Sequence, residues 1–68
     1  MKIDARGYLC PMPVVMVQKE IKAHSPEALE VLVDNRAAVE NVSRFARSAG
    51  YQVAVEAEGL DHLLKLTK

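Results

Sequence analysis

The chain of 68 residues has one cysteine, no tryptophan, three aromatic residues, three prolines and three glycines. One thiol cannot close a disulfide within the molecule. This excludes a stapled secreted scaffold, points to a reducing compartment, and excludes a Cys-x-x-Cys dithiol redox centre. No apolar run is long enough to cross a bilayer as a helix, and the start lacks a signal-peptide pattern. The expectation is a cytoplasmic protein with no membrane partner. Neither charge sign dominates: nine basic side chains face nine acidic ones. No net field therefore draws the chain to nucleic acid or to an anionic surface. Tyr8, Phe45 and Tyr51 are too few to suggest a base-stacking sheet. Repeats, low-complexity tracts and linkers are also missing, so residues 1–68 read as one domain, of a size that buries only about 60% of its unfolded surface.

What is present alternates between two periodicities. Lys2-Ile3-Asp4-Ala5 is short and alternating and runs into Gly7, which predicts a strand and a turn. From Met12 or Pro13 the apolar residues Val14, Val17 and Ile21 recur at helical spacing, and Ser25-Pro26 ends this helix near His24. Its β-branched valines make it depend on packing. Leu29, Val31 and Val33 alternate with Glu30, Leu32 and Asp34 as a strand with one better-buried face. Asp34-Asn35 supplies a helix N-cap. Ala38, Val42, Phe45, Ala46 and Ala49 then form an apolar stripe, stopped by Gly50. Val53, Val55 and Ala57 form one more strand face. After Glu58-Gly59-Leu60-Asp61, the Leu64 and Leu66 face lies opposite Leu63, Lys65 and Thr67, which predicts a hairpin.

The order is βαβαββ. Three strands carry a polar face, so the helices cannot cover both sides of the sheet. The fold class is α+β: a two-layer α/β sandwich with a four-stranded mixed sheet and two helices on one face. A right-handed crossover through the first helix makes the first two strands parallel.

The only cysteine, Cys10, lies in Cys10-Pro11-Met12-Pro13, directly before the first helix. Unpaired N–H groups and the helix dipole at such a place stabilise a thiolate, whose ordinary pKa of roughly 8.5 falls near helix N-termini. Pro13 suits a first helical turn, where its missing N–H costs nothing, and Pro11 restrains the chain just after the thiol. The other reading is a buried, inert cysteine. His24, roughly 15 Å away along the helix, reads as a C-terminal dipole partner, and His62 as a solvated strand residue. Neither suggests a catalytic base, and Cys10 with two scattered histidines has no compact metal-ligand spacing. No metal and no cofactor are expected.

Asp4-Ala5-Arg6-Gly7-Tyr8-Leu9-Cys10-Pro11-Met12-Pro13 resembles the N-terminal signature of the TusA/SirA/YedF sulfur-carrier family, whose hallmark is Cys-Pro-x-Pro. The likeness extends along essentially the whole chain. Val33-Asp34-Asn35, Ala37-Ala38-Val39-Glu40-Asn41-Val42 and Ala49-Gly50-Tyr51 look most like the YedF-like branch associated with selenium metabolism. Arg36 departs from the proline that many relatives have at the start of the second helix. Selenium-associated relatives commonly carry a second, C-terminal domain, so residues 1–68 are expected to be a TusA-like sulfur-carrier domain of the kind that opens a longer protein.

The resemblance implies that Cys10 accepts sulfane sulfur as a persulfide, from a cysteine desulfurase or another sulfur donor, and hands it to a downstream acceptor protein. Such a sulfurtransferase-type carrier needs an exposed nucleophilic thiol and no second thiol to discharge it. Arg6 is the nearest cation to Cys10 in sequence and either stabilises a thiolate or is simply solvated. Asp4 and Asp34 are expected to brace the loops at the strand ends. Tyr8, Leu9 and Met12 form either an apolar rim for a partner or, for Tyr8 and Leu9, a plug beneath the loop. The alternative to a carrier is a non-catalytic regulatory or RNA-binding module in which Cys10 is structural. Arg44 and Arg47 would then be the residues to test.

Overall fold

The computed structural model describes residues 2–8 and 12–68. Its elements follow the order β1 (Lys2–Asp4), α1 (Met12–His24), β2 (Ala28–Val33), α2 (Arg36–Ser48), β3 (Gln52–Glu58) and β4 (Asp61–Thr67). The sheet order is β1-β2-β4-β3, with β1 parallel to β2 and the other two pairs antiparallel. This is the expected mixed four-stranded sheet. β4 is inserted between β2 and β3, which makes β2 and β4 the central strands and leaves β3 as a seven-residue edge.

Strand alternation and helix periodicity meet on one face. Opposed residues share a face in an antiparallel ladder, so Leu29 with Leu66 and Val31 with Leu64 stack in register. Ile3 lies beside Val31. Val17 of α1 and Ala38, Val42 and Ala46 of α2 join the same buried cluster. Both helices therefore cover one side of the sheet. Burying each large aliphatic side chain contributes about 1.5–3 kcal/mol before chain entropy is counted. In a domain this small, few such residues can be spared. Pro13 and Val17 are the buried positions of α1, and Val14, Met16 and Ile21 pack partly against the core.

The opposite sheet face is less polar than the alternation predicted. Leu32 and Leu63 sit on it directly opposite one another, yet they are only 7% and 8% exposed. Their place on the two central strands is the reason: neighbouring strands flank both side chains, with Asp4 beside Leu32 and Glu56 beside Leu63. The apolar stripe of α2 is one residue shorter than expected. Ala49 is the exposed C-cap, and its N–H donates to the Phe45 and Ala46 carbonyls.

Candidate functional site

Topology gathers one set of loops at a single end of the sheet. β1 and β2 are parallel, so their C-terminal ends coincide, and β4 starts and β3 finishes at that same end. The loop after β1, the starts of α1 and α2, and the β3–β4 turn all lie there. Cys10 belongs to the loop after β1 in sequence, but Leu9, Cys10 and Pro11 lie outside the described residues. The site can be built from what flanks them.

That loop is tied down on three sides. Asp4 at the end of β1 accepts from the backbone N–H of Arg6 at 3.1 Å and from its guanidinium Nε and Nη2 at 3.0 and 2.9 Å. The remaining arm of the same guanidinium, Nη1, donates to Asp61 Oδ2 at the start of β4, 3.3 Å away. Because β2 lies between β1 and β4, Arg6 spans the end of β2. Asp34, just beyond β2, accepts from the Gly7 N–H at 2.8 Å. Gly7 has φ +81°, a backbone state that L side chains adopt at a cost, and this turn aims its N–H at Asp34.

These contacts fix the charges. The Arg6 side chain, followed by its backbone N–H, pulls the Asp4 carboxyl down to about 2 from an ordinary 3.8. Asp4 and then Asp61 raise the Arg6 pKa further above its usual range. The Gly7 N–H, helped by the Asn35 side chain, holds Asp34 below its ordinary value. All three groups are ionised at neutral pH. They are also exposed, with Arg6 and Asp4 side chains 47% and 56% accessible. Pairs this open contribute little to global stability, so what they do is hold the loop in place.

Both helix N-termini at this end lack an acidic residue in the first turn. Their dipoles thus remain available to a nearby anion. At α2 Asn35 is the N-cap, its side-chain oxygen accepting from the Ala38 N–H at 2.8 Å. This leaves Asp34 free to serve the Gly7 turn. Of the expected pair, Asn35 caps and Asp34 braces.

Pro13 is fully buried in the first turn of α1, where it anchors the start of the helix to the core. Tyr8 and Met12, the nearest described residues on either side of the Cys10 segment, are 46% and 42% exposed. For Tyr8 this favours the rim over the plug. Leu60, at the tip of the β3–β4 turn, adds a third exposed apolar side chain to that end. Sequence reasoning missed Leu60 and the bridging role of Asp61. Nothing local marks a carboxylate that meets its partner 55 residues away. His24 lies at the far end of α1 and pairs with Glu20 at 2.9 Å. His62 is half-buried, on the helix-covered face between Val33 and Ala57 rather than in solvent.

Comparison with known proteins agrees with this arrangement. All of residues 1–68 match the family described as sulfurtransferase TusA. The candidate sulfur carrier protein MJ0990 of Methanocaldococcus jannaschii is 40% identical over 58 residues, covering 84% of this chain and 77% of that protein. YrkF of Bacillus subtilis, also named as a candidate sulfur carrier, is 34% identical over 67 residues. That match covers 93% of this chain but only 36% of YrkF. The crystal structure of a SirA-like protein from Desulfitobacterium hafniense superposes with a TM-score of 0.86 at 29% identity, covering 97% of this chain and 93% of the other.

Proposed function

The chain belongs to the TusA family of sulfurtransferases, and from that premise we propose that Cys10 carries sulfane sulfur as a persulfide and relays it between two partner proteins. The sulfur-carrier role rests on the family and on the names of the relatives. The persulfide step is the chemistry by which one thiol performs it.

The Cys10 thiolate attacks the terminal sulfur of a donor persulfide, forming the new S–S bond as the donor's S–S bond breaks. The donor cysteine leaves as a thiolate, and the proton stays on the transferred sulfur, which becomes the outer sulfur of the Cys10 persulfide. An acceptor thiolate then repeats the attack on the Cys10 persulfide, which restores the Cys10 thiolate. Neither step changes the net oxidation state, so no oxidant or reductant is needed. The donor class is a cysteine desulfurase or another sulfurtransferase, and the acceptor is a protein thiol.

The observation that carries the reading is the three-sided anchoring of the loop after β1. Arg6 and Gly7 are held by Asp4, Asp61 and Asp34 within a few residues of Cys10. These anchored residues lead into the segment that carries the thiol, next in sequence to the start of α1, and a helix N-terminus favours a negatively charged sulfur. Exposed Tyr8, Met12 and Leu60 offer an apolar rim for a transient partner. In this reading Cys10 is the transfer residue, Pro11 and Pro13 set the helix start, and Arg6 and Asp34 are positioning residues. Residues 1–68 are the carrier domain, working in the cytoplasm, and the delivered sulfur serves sulfur or selenium metabolism.

The test is intact-protein mass spectrometry after incubation with a cysteine desulfurase and cysteine. Wild type should gain one sulfur that a reductant removes, and Cys10→Ser should gain none while keeping its fold. A Cys10→Ser protein that still loads, or a wild type that stays unloaded with several donors while Cys10 remains alkylatable, would overturn the proposal.

A further inference from the structure

A second surface runs along the outer flank of α2, from Arg36 at its start to Arg47 in its last turn. Arg36, Glu40, Arg44 and Arg47 follow one another at helical spacing, with Val39 on the same side, and face Val55 of β3 across an open groove. The longer part of this groove has a volume of about 610 Å³ and the part nearer His62 about 250 Å³. Two facts mark it as unfilled. Val55 points to the helix-covered side of the sheet, opposite Leu64, yet is 47% exposed. The three arginines are exposed and have no ion-pair partner among the described residues. β3 itself is a seven-residue edge with no strand among the described residues on its outer side, and such an edge accepts a further strand.

We propose that this groove binds an extended acidic segment of a partner protein, which pairs with the outer edge of β3. Register sets the sequence that fits. In an added antiparallel strand, the residue opposite Val55 faces the aliphatic floor made with Val39. The residues two places to either side face Arg44 and Arg47 at one end and Arg36 at the other. The pattern is acidic-x-aliphatic-x-acidic. The intervening residues meet Ala54 and Glu56 on the helix-free face of β3 and should be uncharged or, opposite Glu56, basic. A second copy of this chain fits poorly, because pairing β3 with β3 about a twofold axis brings the arginine flanks of the two α2 helices together. A nucleic-acid strand also fits poorly, since Glu40 lies amid the arginines and no Phe, Tyr or Trp lines the groove for stacking. The inference concerns binding alone and does not depend on Cys10 carrying sulfur.

The probe is a seven-residue synthetic peptide with glutamate, valine and glutamate at its second, fourth and sixth places and threonine elsewhere, titrated into the isotope-labelled protein. The expected result is salt-sensitive shifts in the amides of β3 and α2, with slower exchange of the β3 amides that do not bond to β4. Arg44→Glu with Arg47→Glu should weaken binding roughly tenfold, taking a few-fold for each exposed pair. A peptide with lysine for glutamate at its sixth place alone, the place facing residues 44 and 47, should restore binding to that variant. Both substitutions are on the surface, so an unchanged spectrum outside the groove will show that the fold is intact. Absence of shifts in β3, equal binding by a uridine oligonucleotide, or β3 shifts that grow with protein concentration alone would each overturn the proposal.

Discussion

Arg6 and Asp61 meet at 3.3 Å across the end of β2, while the other two donor nitrogens of the same guanidinium hold Asp4. One side chain thereby links the first strand to the last. The link is electrostatic and exposed, which makes it a positioning device more than a source of stability. Replacing Arg6 with Gln should return the Asp4 carboxyl from about 2 towards its ordinary 3.8, as read by carboxyl chemical shifts during an acid titration. The sign follows from linkage. A carboxyl with a lowered folded-state pKa stabilises the fold fully above its unfolded value near 3.8, and loses that contribution as pH falls through about 2. Wild-type anchoring should thus survive mild acid. An Asp4 titration that does not move in Arg6→Gln would show that the fork is not what holds the carboxyl down.

Asp34 tests whether the anchoring matters for chemistry. Asp34→Ala removes the acceptor of the Gly7 N–H and one partner of the Asn35 amide, while the cap bond from the Ala38 N–H to Asn35 Oδ1 is retained. Exchange of the Gly7 amide should quicken by roughly tenfold as the turn opens. Sulfur loading of Cys10 should slow by about tenfold, because a misplaced nucleophile loses orientation. Unchanged loading alongside faster exchange would separate the brace from the transfer.

The fold was legible where one periodicity ruled. The buried residues of β2 and β4 on the helix-covered face, and the α2 stripe from Ala38 to Ala46, appear in the sequence as plain alternation and helical spacing. Leu32 and Leu63 were harder to read, because alternation assigns a residue to a face but does not say how crowded that face is. Their burial comes from the insertion of β4 beside β2, a long-range pairing with no local signature. The site was partly legible for the same reason. Asp34 as a brace and Pro13 at the helix start follow from local turn and cap chemistry. The Arg6 to Asp61 contact and the exposed Leu60 tip depend on which loops the topology collects at one end.

Ser25 offers a test of local strain. It follows α1 with φ +43°, and its N–H and hydroxyl both bond to the Ile21 carbonyl. A non-glycine residue in the left-handed region costs on the order of 1 kcal/mol. Ser25→Gly removes that cost, while Ser25→Ala keeps it and loses the hydroxyl bond. The glycine variant should exceed the alanine variant by about 1 kcal/mol in urea denaturation. The reverse order would mean that this helix end is not strained.

The open face of the sheet gives the sharpest stability prediction. If that face were simply solvated, trimming Leu63 would change stability by less than about 0.5 kcal/mol. Leu63 is instead 8% exposed and lies opposite Leu32 on the two central strands. Leu63→Ala should therefore cost about 2–3 kcal/mol, at the lower end of the core range because part of the vacated space opens to water. For a domain whose whole stability is on the order of 5 kcal/mol, this lowers the urea midpoint sharply. Leu60→Ala, at a side chain that is 97% exposed, is the matched control and should leave the midpoint unchanged. If the two variants unfold together, the buried pair on the helix-free face contributes nothing to the stability of the fold.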